Sequence, residues 1–381
     1  MIYLDYNATT PLSESVKQCI KDNLDIFENP SSLYKENKIV KERIKEARHN
    51  VANLINSEPD NIIFTGCATE SNNTVFNSCI ANPLIDPKPK HIIVSSVEHS
   101  AVLETAKYYE KFNNVSVTYL PVDSKGRIDI NDVYNAISDN TVLISIMLVN
   151  NELGNCYPVE EISNRVHKIN PITLVHTDAT QAIGKMMVDV KKLDVDFLTL
   201  SGHKFYAPKG IGGLYVKDLK ALTPYLYGGH QEQGLRAGTE NFLSIVAMGQ
   251  AAEDVISDTN YDRIRRLRDS FEKKVLKHIK GSTVLGDIDN RICNTSCILF
   301  DNLNGIDICN LVDQIDGICI SSGSACNSVE LSPSHVMKAI GIHKIPIRVS
   351  LGRYTTQEDM DCIFKALMKA TNLYKKRREL K

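Results

Sequence analysis

Short apolar runs and longer amphipathic stretches take turns along the first 216 residues. Runs rich in Ile, Val, Phe and Leu predict strands over 62–65, 91–95, 115–120, 142–148, 172–176, 196–200 and 213–216. Between or before them, helical spacing of apolar positions predicts helices over 13–23, 34–55, 69–81, 100–112, 130–137 and 159–168. Strands that alternate with helices in this way imply an α/β fold with a mainly parallel sheet of seven strands, covered on both faces. Residues 2–12 read as an extended arm. From 241 to about 280 the pattern is two helices with a boundary near 257–260, and a shorter strand–helix alternation ends in a helix over 356–373.

Ligands of such sheets bind beyond the carboxyl ends of the strands. Thr69, His99, Asn151, Asp178 and Lys204 each follow a predicted strand closely, which points to one shared pocket. Lys204 stands just past a buried strand among small residues. Partial desolvation there makes it a candidate amine nucleophile, able to form an imine with a carbonyl cofactor, against the plain alternative of a solvated surface lysine. Thr69 opens a helix whose first N–H groups suit an anion, or is an ordinary helix cap. Asp178 is either an acid partner for a cofactor or the cap of the following turn, and His99 before a helix is equally readable as a capping residue. Cys326 lies in a small, polar segment that suits an exposed nucleophile better than a buried structural thiol.

The stretches SGHKFYAPKGIGG and HTDATQAIG resemble the cofactor-lysine region of the class V aminotransferases, which include the cysteine desulfurases. YLDYNATTPL, TGCATESNN, LVNNELG and SSGSACNS narrow the resemblance to desulfurases of the NifS/IscS type, with matches in order from Leu4 to Tyr354. The resemblance implies a fold-type I pyridoxal 5'-phosphate enzyme with a large domain over 13–257 and a smaller one formed by 1–12 and 258–381. It implies that Lys204 carries the cofactor, that Ala68, Thr69, Ser201 and His203 hold its phosphate, and that Thr239 in GLRAGTEN reaches the phosphate of a second subunit in a homodimer. Asp178 would face the ring nitrogen, Gln181 the ring hydroxyl, and His99 the ring face, where it also shuttles protons. Asn151 would contact ring and substrate. Arg348 would anchor the substrate carboxylate through its guanidinium fork, the alternative being a surface salt bridge. Cys326 would take sulfur from L-cysteine as a persulfide, leaving alanine, on an arm mobile enough to reach the substrate and then an acceptor.

Composition adds mostly exclusions. The chain has 381 residues and a formal net charge of −2, which gives no reason to expect nucleic acid or anionic membrane as a partner. Met1 leads into IYLDYNATT without a leader pattern, and no run reaches the length of a membrane span, so a cytoplasmic location is expected. The ten cysteines show no C-x-x-C pair. CNTSCILF reads as a strand with Cys293 and Cys297 on one face, and no resident metal is expected, Cys326 being the one place where iron–sulfur could be held transiently. A transaminase or selenocysteine lyase of the same fold and a non-catalytic cofactor-binding regulator are the rival readings. Tyr34 stands after NPSSL where many relatives carry histidine, with little catalytic effect expected. With the sequence stopping at Lys381, the longer tail that docks an iron–sulfur scaffold in some relatives is expected to be absent. The sulfur acceptor expected from the resemblance is an iron–sulfur scaffold or, equally, a tRNA-thiolation or other sulfur-carrier protein.

Overall fold

β-Branched and aromatic residues crowd the seven apolar runs, and every run contributes a strand. The structure is a computed structural model and describes residues 1–81, 89–301, 303–323 and 332–379. In chain order its first elements are β1 (Ile2–Tyr3), α1 (Glu14–Asp22), α2 (Lys38–Leu54), β2 (Ile62–Thr65), α3 (Ala68–Ala81), β3 (His91–Ser95) and α4 (Ser100–Phe112). β4 (Ser116–Leu120), α5 (Ile130–Ala136), β5 (Thr141–Ser145), α6 (Val159–Ile169) and β6 (Leu174–Asp178) come next. α7 (Val190–Leu193), β7 (Phe197–Ser201) and β8 (Gly212–Val216) complete the large sheet. Its order is β2-β8-β7-β6-β5-β3-β4, and only β8 runs antiparallel to its neighbours.

Successive residues of a strand point to opposite faces, and the core divides accordingly. Ile63, Ile92, Val94, Leu143 and Phe197 join Phe76 of α3 and Leu103 of α4 in one layer. Ile62, Ile93, Ile144, Val175 and Leu198 join α2, α6 and α8 (Phe242–Ser257) in the other. Each fully buried large apolar side chain contributes roughly 1.5–3 kcal/mol, so the sheet is a rigid floor for whatever its strand ends carry. α2 and α8 approach closely enough that a Cβ added at Gly249 would stand 2.5 Å from Ala47 Cα. Gly249→Ala is therefore expected to destabilise the protein by about 1–3 kcal/mol, read as a lower urea midpoint with the same slope.

The rest of the chain adds α9 (Tyr261–His278), β9 (Ser282–Val284), β10 (Thr295–Phe300), α10 (Gly305–Asp316), β11 (Ile318–Cys319), α11 (His335–Ala339), β12 (Ile347–Ser350) and α12 (Gln357–Glu379). β12, β10 and β9 form an antiparallel sheet, and β1 pairs in parallel with β11, which ties the amino-terminal arm to the late part of the chain. Cys297 is in β10, but Cys293 precedes it, because the strand starts only at Thr295. Both thiols are nonetheless buried. Among the described residues no helix is long and apolar enough to cross a membrane.

Candidate active site

The carboxyl edge of the large sheet collects polar side chains from widely separated parts of the sequence. All of the predicted site residues except Thr239 and Cys326 line one cavity of about 260 Å³. Thr239 is exposed and lies outside it. Cys326 lies outside the described residues.

Each wall follows from a local feature of the chain. β2 ends at Thr65 and α3 starts at Ala68, so the first backbone N–H groups of that helix open towards the cavity beside Thr69. The turn is held by Gly66 N–H donating to Glu70 Oε2 at 2.8 Å and by the Glu70–Arg236 ion pair at 2.8 Å. It also packs against β8 so tightly that a Cβ at Gly212 would lie 2.7 Å from the Cys67 carbonyl carbon. Asp178, the last residue of β6, accepts from Asn72 Nδ2 at 2.9 Å and from Thr180 N–H at 2.9 Å. It is thus a turn cap and a cavity wall at once. The same is true of His99: its Nδ1 accepts from Ala101 N–H at 3.1 Å as the cap of α4, while the ring lines the cavity. With Nδ1 accepting, the proton of the neutral ring sits on Nε2.

Lys204 follows β7 and donates from Nζ to the carbonyl oxygens of Asn7 at 2.6 Å and Ala8 at 2.8 Å. The amino-terminal arm is therefore part of the site, a role that its sequence pattern did not reveal. Arg348 on β12 is not the surface salt bridge that was its alternative. It is only 2% exposed, donates from Nη2 to Asp5 Oδ1 at 2.7 Å and from Nη1 to the Asn151 carbonyl at 2.9 Å, and keeps a buried Nε with no hydrogen-bond partner among the described residues. A buried donor without a partner is costly, and here it belongs to a guanidinium that lines the cavity. Cys67, beside the helix start, is exposed and also lines the cavity. Sequence reasoning missed Asn72, although it sits one helical turn after Ala68 and so shares its face. It also missed Asp5, whose partner is 343 residues away.

The family described as Aminotransferase class-V matches residues 2–363. This chain belongs to that family. Within it the chain falls among the cysteine desulfurases. It is 41% identical to a cysteine desulfurase of Nostoc sp. over 96% of this chain and 92% of the relative. A solved structure titled NIFS-LIKE PROTEIN superposes with a TM-score of 0.90 at 32% identity, covering 98% of this chain and 99% of the other. A second, SspA in complex with cysteine, gives 0.82 at 36% identity over 93% and 100%. Enzymes of this family depend on pyridoxal phosphate.

The residues in the cavity fit that cofactor. A helix start suits a phosphate, Asp178 supplies a carboxylate, Lys204 an amine, and Arg348 a guanidinium of the shape that matches a carboxylate. Burial, with Lys204, Lys209 and Lys185 adding positive charge, pushes His203 down to about 4. The folded protein thus keeps His203 neutral where the unfolded chain, with an ordinary value near 6.5, takes up a proton. The stability that this contributes is complete above pH 6.5 and is lost as pH falls towards 4. Cofactor-free His203→Asn protein is expected to lose less thermal stability than the wild type between those two pH values.

Proposed function

We propose that this chain is a cysteine desulfurase that removes sulfur from L-cysteine, leaves L-alanine and holds the sulfur as a persulfide on Cys326. The observation that carries this reading is the meeting in one cavity of Lys204, just after β7, Asp178 of β6 and Arg348 of β12.

Ala68, Thr69, Ser201 and His203 would hold the phosphate of pyridoxal phosphate, with Thr239 serving the phosphate of a second copy in a homodimer. Asp178 would face the ring nitrogen, Gln181 the ring hydroxyl, and His99 the ring face. When bound, the cofactor supplies a carbonyl that captures amines and a ring that withdraws electrons from the adjoining carbon. Arg348 and Asn151 orient the substrate by its carboxylate. Lys204 moves the proton at the substrate's α-carbon, and His99 assists its return. The Cys326 thiolate attacks the substrate sulfur. A sulfur–sulfur bond forms as the carbon–sulfur bond breaks, and the electron pair left on carbon takes up a proton to give alanine. The persulfide then passes to an acceptor protein, either an iron–sulfur scaffold or a tRNA-thiolation carrier.

The test is incubation of the cofactor-loaded protein with L-cysteine and a thiol. Alanine and sulfide are expected in equal amounts. A keto acid in place of alanine, or no turnover of cysteine by protein with bound cofactor, would overturn the reading.

A further inference from the structure

Lys185 lies beyond Gln181 in the turn that follows β6 and is only 8% exposed. Burying an ammonium is costly unless something answers it. Its Nζ donates to Gln181 Oε1 at 2.7 Å, while Gln181 Nε2 donates to the Asn7 carbonyl at 2.9 Å. That carbonyl also accepts from Lys204 Nζ at 2.6 Å. An ammonium has no acceptor capacity and a carbonyl has no proton to give, so the amide can face only one way. Its oxygen is turned to Lys185, and the second N–H of Nε2 is what Gln181 offers the cavity it lines. A cation on the amide oxygen also polarises the amide and strengthens its N–H as a donor. The charged groups that act on Lys185 are Lys204 and Arg348, both cationic, with the Cys293 thiol on the other side. Burial first, and then those two cations, pushes Lys185 down to about 7. Such an ammonium gains from any anionic oxygen brought close to it.

We propose that Lys185 is a positioning residue for the cofactor, fixing and polarising Gln181 so that its carboxamide presents a donor to the ring oxygen of bound pyridoxal phosphate. The inference rests on the pyridoxal phosphate reading given above and adds to it a residue that never touches the substrate.

The experiment measures equilibrium binding of pyridoxal phosphate to cofactor-stripped protein, together with the visible band of the bound form. Wild type, Lys185→Met, Gln181→Ala, the double variant and Gln181→Glu are compared. Lys185→Met is expected to raise the Kd by roughly tenfold, the worth of one charge-assisted hydrogen bond, and to shift the band. In the Gln181→Ala background the same change should alter the Kd by less than about twofold, because the two residues act as one unit. Gln181→Glu keeps an acceptor for Lys185 but has no N–H, and should lose as much as Gln181→Ala. That variant decides the matter if Lys185→Met does not fold. The inference is overturned by an unchanged Kd and band in Lys185→Met, by equal losses in both backgrounds, or by Gln181→Glu binding as the wild type does. Wild-type protein that fails to bind the cofactor removes the functional reading along with it. Wild-type binding with an indifferent Lys185→Met removes this inference alone.

Discussion

Cys326→Ala is expected to cut alanine release from L-cysteine by ~10³-fold or more, while cofactor binding stays at the wild-type level. The magnitude follows from removing the one nucleophile that the proposed reaction uses, since no base or orienting group can replace a missing sulfur. Other thiols are poor substitutes. Burial pushes Cys156 up to about 11 and Cys309 up to about 12, and raises Cys79 and Cys297 further still. Thiols so disfavoured as thiolates are inert at neutral pH. Cys67 is the thiol to control for, because it is exposed and lines the cavity. Cys67→Ala should retain activity. Mass spectrometry after exposure to cysteine should find the extra sulfur on Cys326 in the wild type and on no residue in Cys326→Ala. Undiminished sulfur transfer by the latter would end the proposal.

Lys204→Ala should lower turnover by up to ~10⁴-fold, the upper range for removal of a general base. The same protein should lose the cofactor mass that borohydride fixes to the wild type. Lys204→Arg should not rescue, because a guanidinium keeps its charge and neither captures a carbonyl nor takes a proton. The experiment also watches Lys185, the second lysine near the cavity. If borohydride fixes the cofactor there in the variant, Lys204 is not the sole amine within reach. If the wild type carries no fixable cofactor after reconstitution, the assignment of Lys204 falls.

Much of the scaffold was legible because each strand states its own case. The run before Asp178 and the run before Lys204 are apolar, bounded by polar or small residues, and too short for helices. Local pattern thus placed Thr69, His99, Asp178 and Lys204 after strands, and a parallel sheet gathers such positions on one edge. Strand limits were less secure. The run at 142–148 gave β5 at Thr141–Ser145, because the pairing with β3 stops at Ser145, although the Ile146 and Leu148 N–H groups still donate to the His176 and Asp178 carbonyls and their side chains stay buried. Similarly, Ile172 belongs to no strand and is exposed.

By itself, then, the sequence determined the order of strands and helices, the edge of the sheet that carries chemistry, and, through motif resemblance, which residues stand there. Tertiary structure alone decided who answers whom: the arm carbonyls that receive Lys204, the Asp5 carboxylate that holds Arg348, and the Asn72 amide on Asp178. These partners lie 106 to 343 residues from the groups they hold. Periodicity reports only on neighbours within a turn or a strand, and a hydrogen bond between distant segments exists only once the core has packed and brought them within reach.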